Sequence, residues 1–158
     1  MKTQVQVKTK LDTYYLTASE KGLISLDWEK NPELPLSRKG NLHTDLACDQ
    51  LIKYSLGQLK KFNCKFDFES MKATDFQIKV WKELLKVPYG KVVCYQDIAR
   101  KLGDKNLVRA IGGANGKNRI PVIIPCHRVI AKDGTIGGYS GGLNRKRKLL
   151  NREGINLD

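Results

Sequence analysis

Polar and apolar residues alternate over three short runs near the amino terminus, Gln4 to Lys10, Thr13 to Ala18 and Leu23 to Trp28. Leu11-Asp12 and Glu20-Lys21-Gly22 separate them, which predicts a β-meander. After a polar stretch with Pro32 and Pro35, Asp45 to Phe62 sets Leu46, Leu51, Ile52, Leu56 and Leu59 at helical spacing, and Cys64 to Phe68 alternates again as an expected strand. From there the period changes. Thr74 and Gln77 have capping-box spacing ahead of a helix whose stripe is Phe76, Val80, Leu84 and Leu85. Pro88-Tyr89-Gly90-Lys91 reads as a turn, and Tyr95 to Leu102 as a short helix that Gly103 ends in the left-handed conformation. Asn106 to Asn115 follows as a second helix, so that the pair around Gly103-Asp104 forms a helix-turn-helix. The fold expected is α+β: a small α/β lobe over residues 1–70 and a mostly helical lobe over 71–158.

Charge sharpens the division. The net charge is +13; residues 75–158 hold 17 Lys or Arg against 7 Asp or Glu, while residues 1–74 hold 12 against 9. A lobe with that excess attracts polyanions, nucleic acid foremost, although a merely basic, soluble surface would read the same way. The amino terminus lacks the apolar run of a secretory signal and no segment is long enough to span a bilayer, so a cytoplasmic protein without membrane attachment is expected. Cys48, Cys64, Cys94 and Cys126 are irregularly spaced with no Cys-x-x-Cys pair, which suggests neither a disulfide framework nor a zinc ribbon. His43, Cys48 and Cys64 fit no common zinc spacing.

The chemistry concentrates in Ile124-Pro125-Cys126-His127-Arg128-Val129. A base or a cation beside a cysteine lowers its pKa and yields thiolate, and His127 and Arg128 offer both. A free cysteine next to Val122, Ile123 and Ile124 also reads as a small buried hydrophobe. Glycines cost helix stability, so Gly112 and Gly113 beside Arg109 and Ala110 require compensation. Close approach of another backbone would supply it, either in the protein core or in a narrow nucleic-acid groove, and the lone Arg109 favours the groove.

Several motifs in order resemble the O6-alkylguanine-DNA alkyltransferases: Val87-Pro88-Tyr89-Gly90-Lys91-Val92, Tyr95-Gln96, Arg109 to Ala114, Asn118, Ile124 to Val129, Gly138-Tyr139-Ser140-Gly141-Gly142-Leu143 and Glu153-Gly154. The resemblance implies a ribonuclease H-like first lobe and a winged-helix-like second lobe that combines DNA binding with the active site. It implies stoichiometric, irreversible transfer of an alkyl group from O6-alkylguanine in duplex DNA to Cys126, with O4-alkylthymine left open as a further substrate. His127 would serve as base through a water, oriented by Glu153, and Tyr95 would protonate guanine N3. The Ser140 amide would face O6, and the carbonyls of Cys126 and Val129 would accept from the guanine amine. Tyr139 and Pro121 would wall the alkyl pocket, and Asn118 would tie the helix-turn-helix to the active-site segment.

The lesion must leave the stack for such chemistry. By resemblance Arg109 fills the vacated space, Ala110, Gly112 and Gly113 face the minor groove, and Gln96, Lys105 and Lys132 contact the DNA backbone. A monomer with no cofactor and no metal is implied, nucleoid-associated in a prokaryote. Cys94 stands where relatives commonly cap the Tyr95 helix with Ser or Thr, so a weaker cap is expected, with the thiol exposed to oxidation. No separate amino-terminal phosphotriester-repair domain is seen, which argues against an inducible regulator. Competing readings are a lesion-binding protein without transfer, a Cys/His hydrolase and a sequence-specific DNA-binding regulator; the cysteine at 126 argues against the first.

Overall fold

Three antiparallel strands form the predicted meander: β1 Thr3–Lys8, β2 Thr13–Ala18 and β3 Leu23–Asp27, in the order β1-β2-β3. The computed structural model describes residues 1–157 and divides after Ala73 into two units. In the first, the alternation buries Val5, Val7, Tyr14 and Leu16 on one sheet. Helix α1, Leu42–Ser55, begins earlier and ends sooner than the leucine spacing predicts. Asn41 starts it, its side chain accepting from the amides of His43 and Thr44 in a capping box, and Gly57 at φ +75° follows its end.

The buried face of α1 is Thr44, Ala47, Leu51 and Tyr54, while Ile52 and Leu56 are exposed and Leu59 lies beyond the helix. Small and amphipathic side chains set the stripe, which a search for leucines does not detect. Cys64 to Phe68 is likewise no strand. It makes a single parallel bridge, Phe66 to Leu23, fixed by Leu23 N–H to Lys65 O (2.8 Å) and Asp67 N–H to Leu23 O (2.9 Å). The Asp67 carboxylate then caps the short helix α2, Phe68–Met71, and ends the extended segment.

The second unit is mainly helical. Helix α3, Asp75–Leu84, has the predicted Thr74/Gln77 capping box. Its buried residues are Val80, Trp81 and Leu84, with Leu85 exposed; the Trp81 indole donates to Ala114 O at 2.9 Å and so fastens α3 to α5. Helix α4, Tyr95–Lys101, is followed by Gly103 at φ +83°. The second helix of the pair opens with a 3-10 turn at Lys105–Leu107, because the Asp104 carboxylate holds the Asn106 amide, and continues as α5, Val108–Gly116. Two short parallel strands, β4 Val93–Cys94 and β5 Val129–Ile130, bring the start of α4 beside the Cys126 segment. Helix α6, Leu143–Arg152, closes the unit with Leu149 and Leu150 buried.

Between α5 and β5 the chain makes a tight buried turn. Ile124 N–H reaches Ile120 O (2.9 Å), while Asn118 accepts from Ile120 N–H (3.0 Å) and donates to Ile124 O (2.8 Å). Val122 inside this turn has φ +74° and is buried. For a β-branched residue that conformation is strained, at a cost of about 1–2 kcal/mol. Glycine relieves the strain, so Val122→Gly is expected to be more stable than Val122→Ala by about 1 kcal/mol in chemical denaturation, the reverse of the usual order for that pair.

Candidate active site

Cys126 follows Pro125, whose φ of −81° and ψ of 63° form an inverse γ-turn closed by Cys126 N–H to Ile124 O at 2.8 Å. Cys126–Arg128 is then one 3-10 turn, with all three side chains buried. The segment is therefore not extended. Even so, His127 does not bond to the thiol: its Nε2 meets Glu153 Oε2 at 2.7 Å. Its Nδ1 is buried and has no hydrogen-bond partner among the described residues.

Glu153, at the end of α6, receives more than the histidine. Arg128 donates from Nε to Oε1 (2.8 Å) and from Nη2 to Oε2 (3.0 Å), and the Gly90 amide donates to Oε1 (3.1 Å). Arg128 also donates to Val87 O (2.7 Å) and stands over the Tyr89 ring at 5.9 Å. Burial alone would raise the Glu153 pKa, but the hydrogen bonds from His127 and Arg128 and the charge of Arg128 outweigh it and hold the carboxyl at about 2. An ionised Glu153 accepts, so His127 donates through Nε2 and keeps the Nδ1 lone pair. Complete burial lowers the His127 pKa, with Glu153 opposing, which keeps the imidazole neutral.

The expectation that Arg128 activates Cys126 is corrected here, because its guanidinium is committed to Glu153. Burial pushes the thiol up to about 11, with Asn118, Lys146 and Tyr139 acting in the opposite sense. The resting group is a thiol. Lys146 was not singled out from the sequence, although it stands three and four residues before the apolar Leu149 and Leu150 and so shares their helix face. It is completely buried.

Tyr95, the first residue of α4, lies close enough to Cys126 to sense its charge, and its pKa is raised chiefly by burial and then by that cysteine. Asn118 clips the turn before Cys126, Pro121 and Val129 are buried, and Tyr139 is half-buried beside exposed Ser140 in the loop that leads to α6. The residues of the helix-turn-helix are less buried than those around the cysteine. Arg109, Ala110, Gly113 and Lys105 are exposed, Gln96 and Gly112 are half-buried, and Lys132 is exposed in the later loop. A Cβ built on Gly112 or Gly113 meets nothing within 4 Å, so packing inside the protein is not what these glycines serve.

At the amino end of α4, Asp97 accepts from the Cys94 amide (2.9 Å) and thiol (3.3 Å), the return half of a capping box. The residues weighed for zinc make unrelated local contacts, His43 to Glu20 O and Cys64 to Gln50. Among the described residues no helix is long and apolar enough to cross a membrane.

Residues 75–155 match the family model described as 6-O-methylguanine DNA methyltransferase, DNA binding domain. The chain is similar to the methylated-DNA–protein-cysteine methyltransferase of Mycobacterium tuberculosis H37Rv, 49% identical over 107 residues. That match covers 68% of this chain and 63% of the mycobacterial protein, less than two thirds of its length. The corresponding Methanosarcina barkeri protein is 40% identical over 155 residues, 96% of each chain. Among solved structures, Mycobacterium tuberculosis OGT in complex with DNA superposes with a TM-score of 0.83 at 35% identity, covering 96% of this chain and 92% of that one.

The Glu153 cluster has a defined acid signature. Its folded pKa of about 2 lies below the ordinary 4.5, so its contribution to stability is complete above about pH 4.5 and is lost as pH falls through about 2. Glu153→Gln leaves Arg128 buried without its counter-ion and is expected to cost about 3–5 kcal/mol at neutral pH. In urea titrations between about pH 2 and 5, the variant should lack most of the wild-type loss of stability with acid.

Proposed function

Because the chain belongs to the O6-alkylguanine-DNA alkyltransferase family, we propose that it repairs DNA by moving the alkyl group of an O6-alkylguanine onto Cys126, once and irreversibly. The observation that carries this reading is the buried set in which ionised Glu153 fixes His127 and leaves its Nδ1 free to accept a proton. Relay of the Cys126 proton through a water to Nδ1 gives the thiolate. The sulfur then attacks the alkyl carbon, an S–C bond forms as the C–O6 bond breaks, and the bonding pair remains on the guanine. Tyr95 protonates the guanine at N3, and the Tyr95 phenolate recovers a proton from His127 or solvent. The product thioether has no hydrolytic exit, which makes the reaction stoichiometric and separates it from Cys/His hydrolysis through a thioester.

Selectivity is assigned to the same turn and to the loop after β5. The carbonyls of Cys126 and Val129 accept from the exocyclic amine, the Ser140 amide faces O6, and Tyr139 and Pro121 enclose the alkyl group. Asn118 holds the turn between Ile120 and Ile124. The helical lobe, from about residue 71, carries both the chemistry and the DNA surface. Its Lys/Arg excess favours phosphate binding, and likeness to a relative crystallised in complex with DNA supports the same partner here.

On that surface Ala110, Gly112 and Gly113 give a shallow face suited to the minor groove, and Arg109 fills the gap left by the extruded base. Gln96, Lys105 and Lys132 bind the DNA backbone. The protein acts as a monomer without cofactor, in the cytoplasm and, if its host is a prokaryote, on the nucleoid.

Intact-protein and peptide mass spectrometry after incubation with excess duplex containing O6-methylguanine should find one methyl group per chain, on Cys126. The Cys126→Ala variant should bind that duplex and gain none; binding by wild type without added mass would replace transfer with lesion recognition. Arg109→Ala is expected to slow transfer from duplex by on the order of 10–100-fold while leaving transfer from a free O6-alkylguanine base nearly unchanged, as extrusion costs a few kcal/mol. Equal losses on the two substrates would remove the extrusion role.

A further inference from the structure

Asn115 interrupts an otherwise apolar stripe. On α5 it follows Ile111 and Ala114 at helical spacing, and all three are buried. The helix is fixed at this point: Ala114 O accepts from the Trp81 indole, and Asn115 O accepts from Asn118 N–H at 3.3 Å, where the turn before Cys126 begins. An apolar residue would complete such a face, and asparagine is a poor helix former. The carboxamide is 7% exposed, and its Oδ1 has no hydrogen-bond partner among the described residues. A buried acceptor left unmade is costly, so folding alone gives no reason for this residue. The other end of the carboxamide does have a neighbour, because Asn115 lies within hydrogen-bonding reach of the Tyr95 phenol.

We propose that Asn115 is the positioning residue of the proton donor: its Nδ2 donates to the Tyr95 phenol oxygen, leaves the phenol proton free for the guanine and stabilises the phenolate that remains. The inference rests on the alkyltransferase reading. A phenol oxygen donates one hydrogen bond and can accept as well. If the amide oxygen faced it, the phenol would commit its proton to Asn115 and have none to direct at N3. The unpartnered atom is Oδ1, so the end turned to the phenol is Nδ2. Tyr95 then keeps its O–H for the substrate.

The same orientation favours the transition state over the resting state. As the C–O6 bond breaks and its electron pair passes to the guanine, the phenol proton moves to N3 and the O–H bonding pair stays on Tyr95. A hydrogen bond to that developing anion is stronger than one to a neutral phenol. An interaction that strengthens along the reaction lowers the barrier. This phenol has particular need of it: burial raises its pKa, an ionised Cys126 raises it further, and Asn115 acts in the opposite sense. The backbone bonds beside Asn115 hold the donor in place before the base arrives, so little reorganisation is required. One helix thereby carries both Arg109 for extrusion and Asn115 for the acid.

The test is single-turnover methyl transfer from duplex O6-methylguanine at saturating DNA, and second-order transfer from free O6-methylguanine base, both read by mass spectrometry in a double-mutant cycle with Tyr95→Phe. Asn115→Leu, which cannot donate, should slow transfer from both substrates by on the order of 10–100-fold. In the Tyr95→Phe background the same substitution should cost less than about 2-fold more, because the oxygen it serves is gone. Its stability to urea should equal or exceed that of wild type, since a buried unpaired acceptor has been removed. A packing role would give the opposite pattern, with stability lost and the rate penalty unchanged by Tyr95→Phe. Transfer by Asn115→Leu at the wild-type rate, or a full penalty in the Tyr95→Phe background, overturns the proposal. So does a loss confined to duplex, which would place Asn115 with Arg109 in extrusion. Should Asn115→Leu not fold, Asn115→Ala, which adds no volume and favours the helix, is read by the same criteria. If wild type transfers no methyl from either substrate, the alkyltransferase reading itself fails and the role of Asn115 falls with it, whereas transfer unaffected by the Asn115 substitutions removes only the latter.

Discussion

One carboxylate organises the second unit. Glu153 receives His127, two nitrogens of Arg128 and the Gly90 amide, thereby joining the end of α6, the turn after α3 and the cysteine turn at one buried point. A guanidinium suits the position because its planar fork serves both carboxylate oxygens and still reaches Val87 O. A lysine could neutralise the charge but could not span these acceptors. The cluster supports the packing and sets the imidazole tautomer, so loss of either role disturbs the other.

Committing Arg128 in this way leaves the nucleophile protonated, which bears on how the site works. An exposed low-pKa thiolate would be open to oxidation and to chance electrophiles. Cys126 has the opposite character: its burial and high pKa keep it inert until a proton acceptor and a substrate are aligned. For the proposed protein, which spends itself in one reaction, an idle thiol preserves the single equivalent available. Reactivity then has to come from arrangement, in the bare Nδ1 of His127.

Much of this was legible in the residues. The meander followed from alternation, and the Thr74/Gln77 box from spacing that is short and local. Motif order gave the cysteine segment, whose neighbours the structure brings together at Tyr95, Asn118 and Glu153. What was not legible depends on partners distant in sequence. Nothing near Arg128 reveals that its acceptor lies 25 residues away, or that the two-residue strands β4 and β5 pair. The α1 stripe was misjudged because Thr44, Ala47 and Tyr54 carry it where Ile52 and Leu56 were expected. The open space at Gly112 and Gly113 removes core packing as the reason for these small residues, which spacing alone could not do.

The departures from ordinary folding rules are concentrated in a short part of the chain. Between Val122 and Lys146 lie a β-branched residue at positive φ, a thiol far from its ordinary pKa and, among the described residues, a buried imidazole nitrogen with no partner and a buried lysine whose ammonium meets only carbonyls. Elsewhere the helices open on capping boxes at Asn41 and Thr74 and Trp81 finds its acceptor, so local preference and global packing agree. Each departure costs stability, and together they would erode a small domain whose net stability is only about 5–15 kcal/mol. The Glu153 cluster and the Asn118 clip offset that cost where it arises, one on each side of Cys126. A site destabilised locally and braced locally is the arrangement expected where strain and unpaired polarity serve chemistry rather than folding.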